Sequence, residues 1–393
     1  MPLPTALIVG AGIGGLAAGI TLRRAGWQVR VFERAQSPGE LGFALNLAAN
    51  AMVALKELGL ADRLLAEGHR TAYAEIRSGN GRALKRVHLA EAIGQARAIV
   101  ATRPALHGAL LDAFDPLDLV LASKVLSFES SPSCVTIVLA DGARHSGDVL
   151  IGADGVGSVV RRQLHPDEGP ARESGYYALR GVVPDASHRM GELSAATYLG
   201  DGIEASIAQA GGGTVYWYMS ILAEDATRDA SSPHALAVRT AERLDETFRT
   251  MVRSTRPETV RLDALYDRDP IDVWGSGVVT LLGDAAHPML PHTGQGAAQA
   301  LEDAVALGLV LANATDIPYA MRRYERVRSA RTKQLVVRGR RAAWATTTRN
   351  PVLTLLRTLL IRAVPARRMA AMFMLADGTD PHRELRAAPG HQH

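Results

Sequence analysis

The stretch that most constrains the fold is residues 5–34, near the N-terminus. A short apolar run at residues 6–9 leads into closely spaced glycines, then into an Ala/Leu-rich segment of helical length and a second apolar alternation that ends in an acid. Strand, glycine turn, helix, strand and acid follow one another in the order of a Rossmann-type dinucleotide site. We therefore predict an α/β fold in which this loop binds a dinucleotide. The glycines of the loop are Gly10, Gly12, Gly14 and Gly15, and the acid is Glu33.

Each part of this G-x-G-x-x-G motif has a physical task. Gly10 permits a tight turn, Gly12 lets a pyrophosphate approach the backbone, and Gly15 lets the helix and the strand pack closely. Unpaired N–H groups and the positive dipole end at the helix start favour phosphate. Glu33 falls where a carboxylate can accept hydrogen bonds from an adenosine ribose. The motif alone does not distinguish NAD(P) from FAD, and three glycines alone can be a flexible turn.

Composition narrows the functional classes. The 393 residues suffice for about two to three domains, and 44 basic and 40 acidic residues leave a net charge of only +4. This balance argues against a dedicated nucleic-acid-binding protein. The one cysteine, Cys134, cannot form an intrachain disulfide, which fits a cytoplasmic location. No His/Cys cluster has metal-ligand spacing, so we expect no bound metal.

Two further motifs each follow an apolar strand and place an aspartate near its carboxyl end. The first is residues 152–161, with Asp154, and the second is residues 283–296, with Asp284. Ligands bind at the carboxyl ends of strands in open α/β sheets, so both aspartates are candidate cofactor contacts. Each of them, taken alone, fits equally well as a helix N-cap. We interpret His287, in the second motif, as a structural histidine with satisfied hydrogen bonds.

Taken together, the three motifs resemble those of the single-component FAD-dependent aromatic hydroxylases, the para-hydroxybenzoate and salicylate hydroxylase type. The matching parts are the glycine loop with the later Glu33-Arg34, the Asp154-Gly155 motif, and the Gly283-Asp284 motif with Gly294-Gln295-Gly296. The similarity spans about residues 5–345. One loop departs from the family pattern, because Ala44 stands in place of a glycine and Ala49 in place of a proline.

The resemblance implies an α/β fold with a discontinuous, Rossmann-like FAD-binding domain, a β-sheet substrate domain and C-terminal helices. The FAD-binding domain is assigned to residues 1–70, 98–175 and 269–318, the β-rich substrate domain to 71–97 and 176–268, the C-terminal helices to 319–377, and a loose tail to 378–393. We also expect a hairpin at 73–87 that turns at Asn80-Gly81, one amphipathic helix at 235–252 and a long Arg-rich helix at 319–345.

The resemblance also implies how FAD is held. Glu33 takes the ribose, Arg34 the adenosine side, and Arg103 the phosphates or the ribityl chain. Asp154 lies near the pyrophosphate and influences NAD(P)H use, and Asp284 hydrogen-bonds a ribityl hydroxyl. The turn from Pro291 to Gly296 runs beside the flavin ring. Backbone N–H groups near Gly294, Gln295 and Gly296 would stabilise negative charge at the pyrimidine end of the ring.

The implied reaction is a hydroxylation. NADH or NADPH binds transiently and reduces FAD, O₂ adds at flavin C4a, and the resulting hydroperoxide transfers an oxygen atom to an electron-rich aromatic substrate. The sequence singles out no catalytic side chain. Two alternatives stay open. The same fold can carry out epoxidation, oxidative decarboxylation or dehydrogenation, and a non-catalytic interaction module can retain FAD.

The substrate site is expected on strands of the second domain. In residues 176–181 the period of two places Arg180 on the same face as Tyr176, and Tyr216 and Tyr218 share a face of a second strand. An arginine beside phenol rings suits an aromatic compound bearing a hydroxyl or acidic group, through bidentate and stacking contacts. The alternative is that Arg180 is a surface or interdomain residue and that the tyrosines only pack.

One C-terminal segment, residues 352–365, combines an apolar face with basic residues. It fits a helix lying on a membrane or one that covers the domain interface, and we expect the second.

Overall fold

The chain alternates strands and helices, and the computed structural model of the protein describes residues 3–37, 39, 43–89, 98–227, 231–374 and 385. The strands are β1 (Thr5–Val9), β2 (Gln28–Phe32), β3 (Ala44–Leu47), β4 (His69–Arg70), β5 (Tyr73–Ser78), β6 (Ala83–His88), β7 (Ile99–Thr102), β8 (Leu119–Val120), β9 (Val125–Ser130), β10 (Val135–Leu139), β11 (Arg144–Gly147), β12 (Val149–Gly152), β13 (Arg172–Val183), β14 (Ala195–Gly200), β15 (Ile203–Gln209), β16 (Val215–Leu222), β17 (Arg261–Asp267) and β18 (Val279–Leu281). The α-helices are α1 (Ile13–Arg24), α2 (Ala49–Glu57), α3 (Ala61–Glu67), α4 (Arg103–Asp112), α5 (Val159–Leu164), α6 (Ala223–Ala226), α7 (Pro233–Ala241), α8 (Glu246–Arg253), α9 (Gly296–Leu311), α10 (Ile317–Thr347), α11 (Pro351–Ala363) and α12 (Ala366–Met374).

A five-stranded parallel sheet has the order β18-β12-β1-β2-β8. Strand β1 pairs in parallel with both β12 and β2, and β12 pairs in parallel with β18. Strands β12 and β18 are buried along their whole length, as expected for a parallel sheet that is covered on both faces. This sheet confirms the predicted Rossmann-like α/β fold. Two small antiparallel sheets, β11-β10-β9 and β3-β7-β4, accompany it.

Helices α1 and α9 pack tightly against each other. Gly308 of α9 permits the close approach, because a Cβ atom there would lie 2.7 Å from the Cβ of Thr21 on α1. The Thr21 hydroxyl donates to the carbonyl oxygen of Ala304 over 2.9 Å. The contact ties together the two helices whose first turns carry the glycine motifs.

A seven-stranded sheet has the order β17-β13-β16-β15-β14-β5-β6. Its strands pair antiparallel except β14 with β5. The predicted hairpin at 73–87 is confirmed as β5 and β6, and Gly81 in its turn has a φ of +85°. One face of the sheet packs Trp217 and Met219 against Phe248 and Met251 of α8.

The single helix predicted at 235–252 is wrong, because the structure forms α7 and α8 instead. Oδ1 of Asp245 accepts a hydrogen bond from the N–H of Phe248 over 2.9 Å and thereby caps the start of α8. An N-cap aspartate has extended backbone angles, so it ends one helical run and begins another. The apolar periodicity continues across this break, which is why the sequence reads as one helix.

The long helix α10 contains the predicted segment 319–345 and connects the two large sheets. The Tyr324 hydroxyl donates to the carbonyl oxygen of Leu281 in β18 over 3.1 Å. Further along, Nε of Arg340 donates to Oδ2 of Asp267 in β17 over 2.6 Å. One rigid element therefore sets the position of the seven-stranded sheet relative to the parallel sheet.

Helix α11 presents most of its apolar side chains to solvent. Of the leucines and the isoleucine of this helix, Ile361 is the one that packs into the small cluster beneath β5 and β6. The exposed ones are Val352, Leu355, Leu356, Leu359 and Leu360. Among the described residues, no helix is both long and apolar enough to cross a membrane. Of the tail predicted at 378–393, only Leu385 lies within the described residues.

Candidate functional site

The three sequence motifs meet at one edge of the parallel sheet. Strands β1, β12 and β18 are neighbours, and each runs directly into one motif. Gly10 adopts a φ of +101° and sits so close to the second motif that a Cβ atom would lie 2.4 Å from the carbonyl oxygen of Ala153. Only glycine fits there, so the tight turn predicted for Gly10 has a visible cause.

The glycines form a cradle at the start of α1. A Cβ atom at Gly15 would lie 1.9 Å from the carbonyl oxygen of Gly10, and one at Gly14 would lie 2.6 Å from Cδ2 of Leu282. Gly12 is the N-cap of α1, and no side chain caps the helix there. The first N–H groups of α1 therefore have no side-chain cap, and such a helix start is suited to bind a pyrophosphate.

Glu33 lies against the glycine loop at the end of β2. Its Oε2 accepts a hydrogen bond from the N–H of Ala11 over 2.9 Å, and its Oε1 accepts one from Ala35 over 2.9 Å. The carboxylate is therefore held by the backbone beside the cradle. Arg34 is exposed next to it. His107 of α4, which the sequence did not single out, is buried with Nε2 2.8 Å from the carbonyl oxygen of Ala11.

Asp154 accepts hydrogen bonds at the start of α5, whose N-cap is Ser158, and also lies at the cradle. Its Oδ2 accepts a hydrogen bond from the N–H of Val159 over 2.7 Å, and its Oδ1 accepts one from the Ser158 hydroxyl over 2.5 Å. Its Cα would be 3.1 Å from a Cβ atom on Gly10. Burial raises the pKa of Asp154, although these hydrogen bonds act in the opposite direction. The N-cap position considered for Asp154 is thus occupied by Ser158, and the cofactor role of Asp154 stays a prediction.

Asp284 follows β18 in a 3-10 turn, Gly283–Ala285, and lines the cleft. A Cβ atom on Gly296, the first residue of α9, would lie 3.9 Å from its Oδ1. The surrounding protein raises the pKa of Asp284, while His287 and Arg103 lower it. Arg103 is the first residue of α4. Burial lowers the pKa of Arg103, and the charge of Asp284 raises it. The two predicted cofactor contacts thus lie close enough to interact.

The predicted flavin turn begins with a 3-10 helix, Pro291–Thr293, and passes through Gly294 at a φ of +63°. Gln295 then forms the N-cap of α9 without a side-chain cap hydrogen bond, and the first turn of α9 contains no acidic residue. Oε1 of Gln295 accepts a hydrogen bond from Nδ2 of Asn50 over 2.9 Å. The start of α9 therefore offers N–H groups next to Asp284, in a fixed orientation.

A buried ionic network supports this turn from below. Nη1 of Arg328 donates to Oε2 of Glu302 over 2.7 Å, and Nε donates to Oδ1 of Asp303 over 2.7 Å. Oδ2 of Asp303 lies 2.6 Å from Nε2 of His287. Burial raises the pKa of Asp303, but the charges of His287 and Arg328 outweigh this and lower it to about 2. The prediction of satisfied hydrogen bonds for His287 therefore holds for Nε2, whereas its Nδ1 has no partner among the described residues.

The other face of the seven-stranded sheet carries the predicted substrate residues. Arg180 of β13 pairs in register with Tyr218 of β16, so their side chains share a face. The guanidinium carbon of Arg180 lies 6.0 Å from the centre of the Tyr218 ring and 5.7 Å from that of Phe43. The Phe43 ring is also 6.3 Å from that of Tyr216. Burial raises the pKa of Tyr216 to about 12 and also raises that of Tyr218.

Three polar residues on or against this face were not predicted from the sequence. Nε2 of His292, in the flavin turn, lies 2.9 Å from Oγ of Ser220. Ser220 pairs in register with Glu204 of β15, so both share the face with Tyr218. Burial raises the pKa of the Glu204 carboxyl to about 7 and lowers that of His292 to about 4. The one available signal was a single acid within a mostly apolar strand, β15.

The site combines a Rossmann-type glycine cradle with a β-sheet face that bears aromatic and charged side chains. This combination is the architecture of the flavin-dependent hydroxylases. Two features fit FAD: a glycine-rich helix start without a side-chain cap for its pyrophosphate, and a second uncapped helix start beside Asp284 for its ring. Among the described residues, no three His, Cys, Asp or Glu side chains come together as a metal-binding group.

The chain belongs to the FAD binding domain family, whose profile it matches over residues 4–339. It is 34% identical to aurachin C monooxygenase/isomerase of Stigmatella aurantiaca over 84% of this chain and 87% of that protein. It is 35% identical to 3-hydroxybenzoate 6-hydroxylase 1 of Aquipseudomonas alcaligenes, over 86% and 88%. Klebsiella pneumoniae HpxO, crystallised with FAD and uric acid, superimposes with a TM-score of 0.88 at 26% identity, covering 95% of this chain and 96% of that one. The protein is an FAD-dependent hydroxylating monooxygenase.

Proposed function

We propose that the protein hydroxylates a small aromatic compound that carries a hydroxyl or acidic group, with NADH or NADPH as reductant and O₂ as co-substrate. The observation that carries this proposal is the position of Arg180, between the rings of Phe43 and Tyr218. An arginine held against aromatic rings attracts an anionic oxygen on a planar ring and stacks on the ring itself. The proposed substrate therefore lies against this face of the sheet.

The surroundings of Arg180 support a binding role. Its Nη1 lies 3.5 Å from Oδ2 of Asp263, which is half exposed. Such exposed ion pairs contribute about 0–1 kcal/mol, so this partner competes weakly with a substrate oxyanion. The opposite face of the sheet is filled by core residues such as Trp217 and Met219. The face of Tyr216 and Tyr218 is accordingly the better candidate for the substrate.

The proposed FAD contacts use groups that are already oriented. The start of α1 and its glycines would receive the pyrophosphate, and Glu33 would accept a hydrogen bond from the ribose. Arg34 and Arg103 would flank the adenosine and phosphate parts, and Asp284 would accept a hydrogen bond from a ribityl hydroxyl. The N–H groups of Gln295 and Gly296 would face developing negative charge on the ring.

When bound and reduced, FAD supplies the activation of O₂, from which one oxygen atom enters the substrate and the other leaves as water. The side chains of this protein then have to orient the substrate and exclude water. Tyr216, with a pKa raised to about 12 by burial, stays protonated at neutral pH and can donate a hydrogen bond to a substrate oxygen. Arg180 would balance the negative charge of that oxygen.

The proposal also includes two predictions that were made from the sequence, on the domains and on the location. The chain divides into the FAD-binding, substrate and C-terminal segments whose bounds were predicted from the sequence, with the seven-stranded sheet as the core of the substrate domain. The protein acts in the cytoplasm, where its single cysteine, Cys134, would stay reduced.

The test is an assay of the purified, FAD-loaded protein with ¹⁸O₂ and a panel of phenolic and heteroaromatic compounds. We expect at least one compound to accelerate NADH or NADPH oxidation and to gain one ¹⁸O atom. A compound that accelerates NADH or NADPH oxidation without gaining ¹⁸O would be an effector whose electrons go to H₂O₂, and an oxidised product without ¹⁸O formed in the absence of NADH and NADPH would identify a dehydrogenation. If no compound raises the basal rate, the proposed substrate class is wrong.

A further inference from the structure

Glu204 is a carboxylic acid buried on the same sheet face as the proposed substrate residues. Only 8% of the residue is exposed, and Tyr218 beside it is 6% exposed. Their strands β15 and β16 are adjacent, with Ser206 opposite Tyr218 and Ser220 opposite Glu204. Side chains of residues paired in this way point to the same side of the sheet. Glu204 therefore lies on the sheet face that also bears Arg180 and Tyr218. We call this face the chamber wall, because the proposed substrate lies against it.

Two polar atoms in this wall lack a hydrogen-bond partner among the described residues. They are Oε2 of Glu204 and the hydroxyl oxygen of Tyr218. Buried polar atoms are nearly always hydrogen-bonded, and an exception at a binding chamber indicates the place of a ligand group. A third such atom is Nδ1 of His292, whose other ring nitrogen, Nε2, contacts Ser220. Oε2 of Glu204 can therefore accept a hydrogen bond from a donor group of a ligand.

Other cations do not fill this need. Arg357 of α11 approaches Glu204, but its Nη1 donates to the carbonyl oxygens of Ala345 and Thr346, both over 2.8 Å. Arg357 and Thr346 offset the cost of burying the Glu204 carboxylate only in part. Oε2 of the carboxyl group, and likewise Nε of Arg357, stays without a hydrogen-bond partner among the described residues.

We propose that Glu204 is a specificity-determining residue that accepts a hydrogen bond from an N–H group of the substrate. This inference rests on the proposed function and narrows the substrate class. The chamber has a cation, Arg180, on β13 and an acid, Glu204, on β15, with Tyr218 of the intervening strand between them. Two inter-strand steps and an offset of two residues along the strand separate the Cα atoms of Arg180 and Glu204 by about 12 Å. The substrate is therefore an aromatic ring system with an oxygen anion or hydroxyl at one end and an N–H donor at the other.

The first arm of the test compares ligands on the wild-type protein. FAD-loaded protein is titrated at pH 8 with 3-aminophenol, 3-methylphenol and 3-hydroxybenzoate, and dissociation constants are read from the flavin absorbance change. The three rings share a hydroxyl and differ only in the group at the Glu204 end. We expect 3-aminophenol to bind about tenfold more tightly than the other two, since a hydrogen bond to a charged group has roughly that effect. Tighter binding of 3-hydroxybenzoate overturns the proposal.

The second arm uses Glu204→Gln, with Glu192→Gln as an exposed control on the loop before β14. The Glu204 variant should lose most of the preference for 3-aminophenol while its affinity for 3-methylphenol stays within about twofold, because only the N–H contact is weakened. The control should retain the wild-type ranking. An unchanged ranking in Glu204→Gln would make Glu204 only a partner of Arg357 and overturn the proposal, whatever the melting temperature of the variant.

The ligand titrations also separate this inference from the proposed function. They need neither NAD(P)H nor turnover, so a ranking that favours the N–H donor supports the role of Glu204 even if no ring is hydroxylated. Conversely, incorporation of ¹⁸O into rings without an N–H group, at equal efficiency, supports the hydroxylase and refutes the role of Glu204.

Discussion

Nε of Arg328 donates to Oδ1 of Asp303 over 2.7 Å, and both side chains are fully buried beneath the flavin turn. Removing one partner leaves an uncompensated buried charge, which typically costs about 3–5 kcal/mol. We expect Arg328→Ala to lower the free energy of unfolding by about this amount and to reduce FAD retention. Arg326→Ala, two residues earlier on α10 and exposed, is the matched control. Urea denaturation of both variants measures the effect, and equal stabilities would contradict it.

The glycine cradle predicts a second outcome. In Gly15→Ala the new Cβ would lie 1.9 Å from the carbonyl oxygen of Gly10, a contact with backbone that no side-chain rotation relieves. We expect the variant to purify with little FAD. Gly108→Ala lies in α4 with no atom within 4 Å of the new Cβ, so it should keep its FAD and gain up to about 1 kcal/mol of stability. Flavin absorbance per chain gives the comparison. A Gly15→Ala protein with normal FAD content would show that the cradle does not hold the cofactor.

Asp284 provides a third prediction. If its carboxylate accepts a hydrogen bond from the ribityl chain, Asp284→Ala removes a charge-assisted hydrogen bond of about 1.5–3 kcal/mol. The dissociation constant of FAD should then rise by a factor of about 10 to 150. Asp272→Ala is the control, because Asp272 is an exposed aspartate that pairs with Lys333 at the surface. An FAD affinity unchanged in both variants would leave Asp284 with a structural role alone.

Arg180 provides a fourth prediction, measured by kinetics. With the true substrate, Arg180→Ala should lower kcat/KM by at least tenfold, which corresponds to about 1.4 kcal/mol. Arg189→Ala, an exposed arginine that contacts Ser254, should behave as wild type. A change in kcat/KM of less than about twofold, or ~0.4 kcal/mol, would show that Arg180 does not bind substrate.

The fifth prediction concerns the pH dependence of stability. Burial raises the pKa of Glu204 from 4.5 to about 7, so the folded state holds its proton where the unfolded state has lost it. The contribution of this group to stability is present below pH 4.5 and falls as pH rises to 7, by roughly 3 kcal/mol. Glu204→Gln removes this loss, so at pH 8 it should be more stable than wild type.

The difference in stability between wild type and Glu204→Gln reports on Glu204 alone, because both proteins contain His292. The lowered pKa of His292 makes stability rise with pH between about pH 4 and 6.5, which is the opposite sign. Guanidinium denaturation from pH 4.5 to 8 gives the two profiles. Parallel profiles would mean that the Glu204 carboxyl is solvated.

The sequence predicted the parallel sheet and its three loops because those features are local. A strand of four or five apolar residues, a glycine turn and a helix start are all encoded within about ten residues, as at Gly10 and Asp284. The break at Asp245 was missed because an N-cap can interrupt a helix without disturbing its apolar period.

The residues of the chamber wall could be predicted from the sequence only in part. Alternation along one strand placed Arg180 with Tyr176, and this is the limit of a single-sequence argument. That Glu204 faces the same chamber depends on the register of β15 against β16, and that Phe43 stacks on Arg180 depends on a loop more than a hundred residues away in the chain. Neither the strand register nor the loop contact produces a periodic pattern in the sequence.

The order of strands in the parallel sheet has a consequence for how the protein is made. Strand β18 is the last of the five in the chain but lies beside β12, so the ribosome has to deliver about 130 further residues after β12 before its neighbour exists. During this interval the nascent chain carries an unpaired apolar strand edge, which is prone to aggregate. The protein should therefore depend on chaperones late in its synthesis, and a chain interrupted before β18 should neither bind flavin nor stay in solution.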